Sequence, residues 1–120
     1  MKNVKTYEEV SEKEFKILED YIIHKFDLWY LDDFKDVKVK KIEHKYENQP
    51  NIKILVRFFA LAAGYVELVE KITKFLGLRN WVAISDYQHF ITIDLYIDEK
   101  KFRELVEFIK FESDANNYNL

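Results

Sequence analysis

Ile52-Lys53-Ile54-Leu55-Val56-Arg57-Phe58-Phe59 alternates without interruption, and such a period of two marks a strand with one apolar and one mixed face. Upstream, Val37 and Val39 alternate with Lys38 and Lys40. The phase slips at Lys40-Lys41, and Ile42, His44 and Tyr46 then alternate with Glu43 and Lys45. That pattern predicts a strand over 37–46 with a bulge. Glu47-Asn48-Gln49-Pro50-Asn51 between the two runs is turn chemistry, so they form a hairpin. Downstream, Gly64 marks a break, and Val66, Val69, Ile72 and Leu76, with Leu68 and Phe75, have helical spacing. Gly77 falls where a left-handed C-cap belongs. Trp81-Val82-Ala83-Ile84 and Phe90 to Ile97 read as strands joined around Ser85 to His89. Asp98 suits the N-cap of a last helix that buries Phe102, Leu105, Val106 and Ile109.

Working back to the start of the chain, Ser11 and Glu14 have capping-box spacing, and Phe15, Leu18, Ile22 and Phe26 follow at helical intervals. A helix is predicted from about residue 7 or 11 to 26, with Ile17, Tyr21 and Ile23 widening its apolar side. Leu28 to Phe34 reads as a connecting turn. The order is α-β-β-α-β-β-α, which predicts an α+β two-layer sandwich with a four-stranded antiparallel sheet. The segment Ile52 to Phe111 reads β-α-β-β-α. With Gly64-Tyr65-Val66-Glu67-Leu68 opening its helix and Gly77-Leu78-Arg79-Asn80 leading into the next strand, this half of the chain resembles the ACT and wider ferredoxin-like arrangement. The resemblance implies that the strand at 37–46 takes the edge place of the family's last strand and that the N-terminal helix is an addition. It also implies a small ligand near Ala62 to Tyr65 at a dimer interface. The acidic residue and Pro-Gly pair usual in ACT effector loops are replaced here by Ala62-Ala63-Gly64.

The 120 residues are read as a single domain, 1–120, with 1–10 and 113–120 expected to fray. Apolar residues make up 48% and aromatics 17%, enough for a dense core and far from disordered composition. Two Gly and one Pro leave no glycine-rich phosphate loop, and zero Cys excludes disulfides, cysteine zinc sites and thiol catalysis. A net charge of -3 argues against a protein that is basic throughout. No window is apolar enough for a membrane helix. Met1 to Lys5 leads into Glu8 and Glu9 rather than an apolar signal region, so a cytoplasmic setting is expected. Heavy use of Lys, Ile, Asn, Tyr and Phe matches an AT-rich coding sequence, as in a microbe, virus or mobile element.

Alternation divides the sheet. One face is expected to gather Ile52, Ile54, Val56, Phe58, Val82, Ile84, Ile91, Ile93, Leu95 and Ile97 under the second and third helices. The other gathers Lys53, Leu55, Arg57, Phe59, Trp81, Ala83, Phe90, Thr92, Asp94 and Tyr96. Residues 37–59 carry six basic groups against two acidic, while residues 1–36 carry six against ten. Three covers for the mixed face compete. The N-terminal helix would bury Phe59, Trp81 and Phe90 against Phe15, Leu18 and Ile22. A second protein or a second copy would use the aromatic and Arg anchors typical of interfaces. Single-stranded nucleic acid would stack on the aromatics and neutralise the lysines. The plainer role of Lys38, Lys40 and Lys41 is to guard an exposed edge strand.

Catalytic patterns are sparse. His24, His44 and His89 share no metal-ligand spacing, and His89 near Asp86 reads as a solvated turn. Asp27, Asp32, Asp33 and Asp36 lack a calcium-loop pattern. Ser11, Ser85 and Ser113 lack a nucleophile elbow, and Glu67 and Glu70 with Lys71 and Lys74 form a solvated helix face. The expectation is a non-enzymatic protein without cofactor or metal. It acts through protein–protein contact, as an inhibitor or immunity-type factor or as a homodimer. The interaction residues named by the sequence are Trp81, Phe59, Tyr96, Arg57 and Lys53, with Trp29 and Tyr30 after the first helix. The alternatives are an ACT-like small-molecule domain and single-stranded nucleic-acid binding along the basic hairpin 37–59.

Overall fold

Helix α1 spans Glu12–Lys25, with Glu12 and Glu14 in its first turn and His24 and Lys25 in its last, the charge order a helix dipole favours. The computed structural model describes residues 12–43, 50–59, 63–78, 82–85 and 91–118; the expected cap at Ser11 and the segment 1–10 lie outside the described residues. Asp27 reverses the chain in the left-handed region at φ 52°, which Asp tolerates better than most residues. The stretch expected to be a plain connecting turn then forms a 3-10 turn, Leu28–Tyr30, anchored by the fully buried Leu28.

Strand β1 is Phe34–Lys41 and β2 is Ile52–Phe58; α2 is Ala63–Phe75, β3 is Val82–Ser85, β4 is Ile91–Ile97 and α3 is Glu99–Tyr118. The fold is α+β, with an antiparallel sheet in the order β1-β2-β4-β3 and three helices among the described residues. Gly77 adopts φ +74°. The Leu78 N–H donates to the Thr73 carbonyl at 2.9 Å and the Gly77 N–H to the Lys74 carbonyl at 3.0 Å, the Schellman closure a left-handed glycine permits. Asp98 caps α3 by accepting the Lys101 N–H at 2.7 Å. That helix continues to Tyr118 through the segment expected to fray. Its C-terminal part is tied to α1 where the Tyr21 hydroxyl donates to Glu112 at 2.7 Å. Burial, then that bond and the Glu112 charge, push the Tyr21 pKa up to about 12.

Three sequence expectations are corrected by the pairing. The bulge lies between Phe34 and Asp36, and β1 pairs regularly through Lys41 opposite Ile52. The apparent phase slip arises because Lys41 occupies an inward row at the end of the sheet, where its Nζ meets Glu99 at 2.9 Å. Residues 44–46 lie outside the described residues. In β3, Val82 pairs with Asp94, Ala83 with Ile93 and Ile84 with Thr92. Directly paired residues share a face, so positions 82 and 84 belong to the mixed face and position 83 to the apolar one, the reverse of expectation. In a short strand, hydrophobicity alone does not fix the phase; the register with β4 does.

The third correction concerns α1. Leu18 and Ile22 are fully buried in the same core as Ile54, Val56, Ile93, Ile72 and Phe102. The Phe15 ring lies 5.4 Å from that of Phe102, and the Tyr21 ring 5.7 Å from that of Phe75. α1 therefore joins α2 and α3 on the apolar face rather than crossing the mixed one. It also closes the rim: the Val39 N–H of edge strand β1 donates to Glu19 Oε2 at 2.8 Å, leaving that amide no use as a template for another strand.

Glu99 fastens the hairpin to the start of α3. Besides Lys41, it accepts from Asn51 Nδ2 at 2.8 Å and lies 3.6 Å from Arg103 Nη2. Burial alone would raise its pKa, but the bonds from Lys41 and Asn51 and the charges of Lys41 and Arg103 outweigh it, and the net shift is downward. A carboxylate lowered by folding stabilises above its unfolded pKa of about 4.3 and loses that contribution as pH falls through the folded value. Glu99→Gln should therefore melt below wild type at pH 7, with the gap narrowing as thermal melts are taken down to pH 3. Glu19→Ala should cost about 1–3 kcal/mol in urea unfolding by orphaning the Val39 amide. It should also increase self-association by light scattering, with Glu19→Gln milder on both counts.

Candidate functional site

The mixed face is built from cross-strand rows. Lys40, Lys53 and Tyr96 form one; Lys38, Leu55, Asp94 and Val82 the next; Asp36, Arg57, Thr92 and Ile84 the third. α1 comes alongside Lys38, Lys40, Leu55 and Arg57 at the β1 edge of these rows, while Phe59 just beyond β2 is 52% exposed and Tyr96 36%. Arg57 is held rigidly, donating from Nε and Nη2 to the two oxygens of Asp36 at 2.6 Å each. Lys53 Nζ lies 3.5 Å from the buried Asp94 carboxylate and 5.7 Å over the Tyr96 ring. Lys35 Nζ sits 5.8 Å over the Phe59 ring, whose backbone N–H donates to the Asp33 carbonyl at 2.7 Å. Cations over aromatic faces are mutually attractive and leave both partners partly ordered.

Of the residues named from sequence, Lys53 and Tyr96 are in contact, Arg57 lies further along the same face, and Phe59 lies just beyond the end of β2. Trp29 and Tyr30 form a separate exposed pair, with ring centroids 4.4 Å apart, on the 3-10 turn after α1. Trp81 lies outside the described residues, as do Phe90, His44, His89, Asp86 and Ala62. The Tyr65 ring, at the place the ACT resemblance assigns to a ligand, lies 5.3 Å from that of the buried Phe58. His24 faces the Asp20 carbonyl at 2.8 Å through Nδ1. Among the described residues no three His, Asp or Glu side chains are grouped to hold a metal ion, and no helix is long and apolar enough to cross a membrane.

Sequence reasoning missed a groove of about 540 Å³ between α1 and the hairpin. α1 contributes Glu12, Phe15, Lys16 and Glu19, β1 contributes Lys38, Val39 and Lys40, and β2 contributes Leu55 and Arg57. Lys38 and Lys40 make no ion pair among the described residues. Alternation places both on the mixed face, but no local pattern shows that α1 returns beside them.

Comparison with known proteins gives no matching family model, no matching curated protein and no matching solved structure.

The Lys53–Asp94 pair sets a limit on mutagenesis of this face. Lys53→Ala leaves the Asp94 carboxylate buried without its counter-charge. Because Lys53 keeps 22% of its side chain in solvent, a loss of about 1–3 kcal/mol is expected in chemical denaturation. The double variant Lys53→Met/Asp94→Leu should recover most of that loss.

Proposed function

We propose that this chain is a non-catalytic binding protein whose mixed sheet face docks an acidic surface of another protein, in the manner of a small inhibitor or immunity-type factor. The observation that carries this is that Phe59 and Tyr96, near opposite ends of β2, are both exposed and each lies under a lysine ammonium. Aromatic anchors beside Arg are the residue types that dominate binding energy at protein interfaces. The excess of cations along the hairpin selects an acidic partner and speeds encounter with it. We read the frame as ferredoxin-like: β2, α2 and β3 form a crossover with β4 between the two strands, and β1 takes the remaining edge.

Site-directed cross-linking tests the reading. A photoreactive phenylalanine analogue at position 96 should give an adduct with one acidic polypeptide in extract of the producing cells. Its yield should fall with added salt, and by about tenfold or more with Phe59→Ala. The same analogue at the exposed Glu107 of α3 should give no such adduct. Adducts with nucleic acid, adducts only with a second copy of the chain, or equal yields from positions 96 and 107 would each reject it.

A further inference from the structure

We infer that the groove between α1 and the hairpin is a binding site for a nucleoside phosphate. The site shares Lys38, Lys40, Leu55 and Arg57 with the proposed docking face, but it needs no docked protein and is tested on the chain alone. The first ground is a pair of lysines whose charges are not paired among the described residues. Lys38 and Lys40 sit two residues apart on one side of β1, about 7 Å along the strand, with no ion-pair partner among the described residues. Lys40 lies directly opposite Lys53, and like charges in register oppose sheet formation. Guarding the edge does not require them, because Glu19 and the body of α1 already occupy that rim. Adjacent ammonium groups that make no ion pair among the described residues favour an anion beside them.

The size and the remaining lining decide what kind of anion. About 540 Å³ falls within the roughly 300–1,000 Å³ typical of small-molecule sites, far more than a bare phosphate fills. Phe15 and Leu55 offer apolar contact for a flat ring. Glu12 and Glu19 on the helix side repel a ligand that is anionic throughout, such as a long polyphosphate. They accept hydrogen bonds from hydroxyl or amino groups, and Glu19 commits one oxygen, Oε2, to the Val39 amide. A ligand with an anionic end, a donor-bearing middle and a ring satisfies all three parts. A nucleoside phosphate has that chemistry, whether as a free nucleotide or as the phosphorylated end of a strand.

Titration of the whole chain, followed by backbone amide shifts of Phe15, Val39 and Leu55, tests the assignment. ADP should move these amides. Adenosine and inorganic phosphate should each bind about tenfold more weakly than ADP, and Lys38→Gln/Lys40→Gln should weaken ADP by at least about tenfold. Lys110→Gln, on the exposed side of α3, should leave binding unchanged. Shifts with ADP assign the free nucleotide as the source. Shifts only with a 5′-phosphorylated dinucleotide assign a strand end. The site is refuted by silence toward both probes, by equal binding of the unphosphorylated dinucleotide or of adenosine, or by an equal loss with Lys110→Gln. Should the double glutamine variant melt early, Lys38→Arg/Lys40→Arg takes its place and should retain binding.

Discussion

The hydrogen bond from the Val39 amide to the Glu19 carboxylate is the constraint from which the asymmetry of this molecule follows. β1 is an edge strand, and an outward amide in a partly buried rim is costly when unpaired. α1 supplies the acceptor from one side of Glu19, while Leu18 and Ile22, one position before and three after it, must reach the core. Those demands pin the helix at the corner where the rim meets the apolar face. A helix so fixed meets the mixed face only along its β1 edge, beside Lys38, Lys40, Leu55 and Arg57.

The same placement sorts the basic run of the hairpin into two kinds of charge. Lys41 is consumed by Glu99, Lys53 by Asp94 and Arg57 by Asp36. Each of these pairs ties one element to another, and each acid is supplied by a neighbouring strand or helix. Lys38 and Lys40 belong to the same composition but have no such bond among the described residues. A count of charges along residues 37–59 cannot separate the two kinds, because the sorting depends on which acid the fold brings alongside.

Where sequence and fold agree, the signal was local. Strict alternation placed β2 and β4, Asp98 marked a cap through its own side chain, and Gly77 marked one through its freedom at positive φ. Alternation likewise places Lys53, Arg57 and Tyr96 on one face, as the strand register does. The failures share a cause, which is contact between distant segments. The phase of β3 is set by the register of positions 82 and 84 with Asp94 and Thr92, not by their own hydrophobicity. Lys41 looks like a break in phase until Glu99, far along the chain, is seen to receive it. The groove has no counterpart in the sequence because half its lining comes from Glu12 to Glu19 and half from strands beyond the 3-10 turn.

An exposed face of this kind differs from an ordinary solvated surface in how little freedom its side chains retain. Lys53 is drawn between Asp94 and the Tyr96 ring, Arg57 is gripped through two bonds by Asp36, and Lys35 rests over Phe59. Ordering a long side chain on association costs about 0.5–1.5 kcal/mol, and here that ordering is already supplied by the fold. Intramolecular pairing has an opposing effect, since an Arg whose fork is filled by Asp36 has less to offer an incoming carboxylate. The balance assigns separate roles within the face. Phe59 and Tyr96 present exposed apolar area, Arg57 and Lys53 are held by Asp36 and Asp94, and Lys38 and Lys40 carry charge unpaired among the described residues.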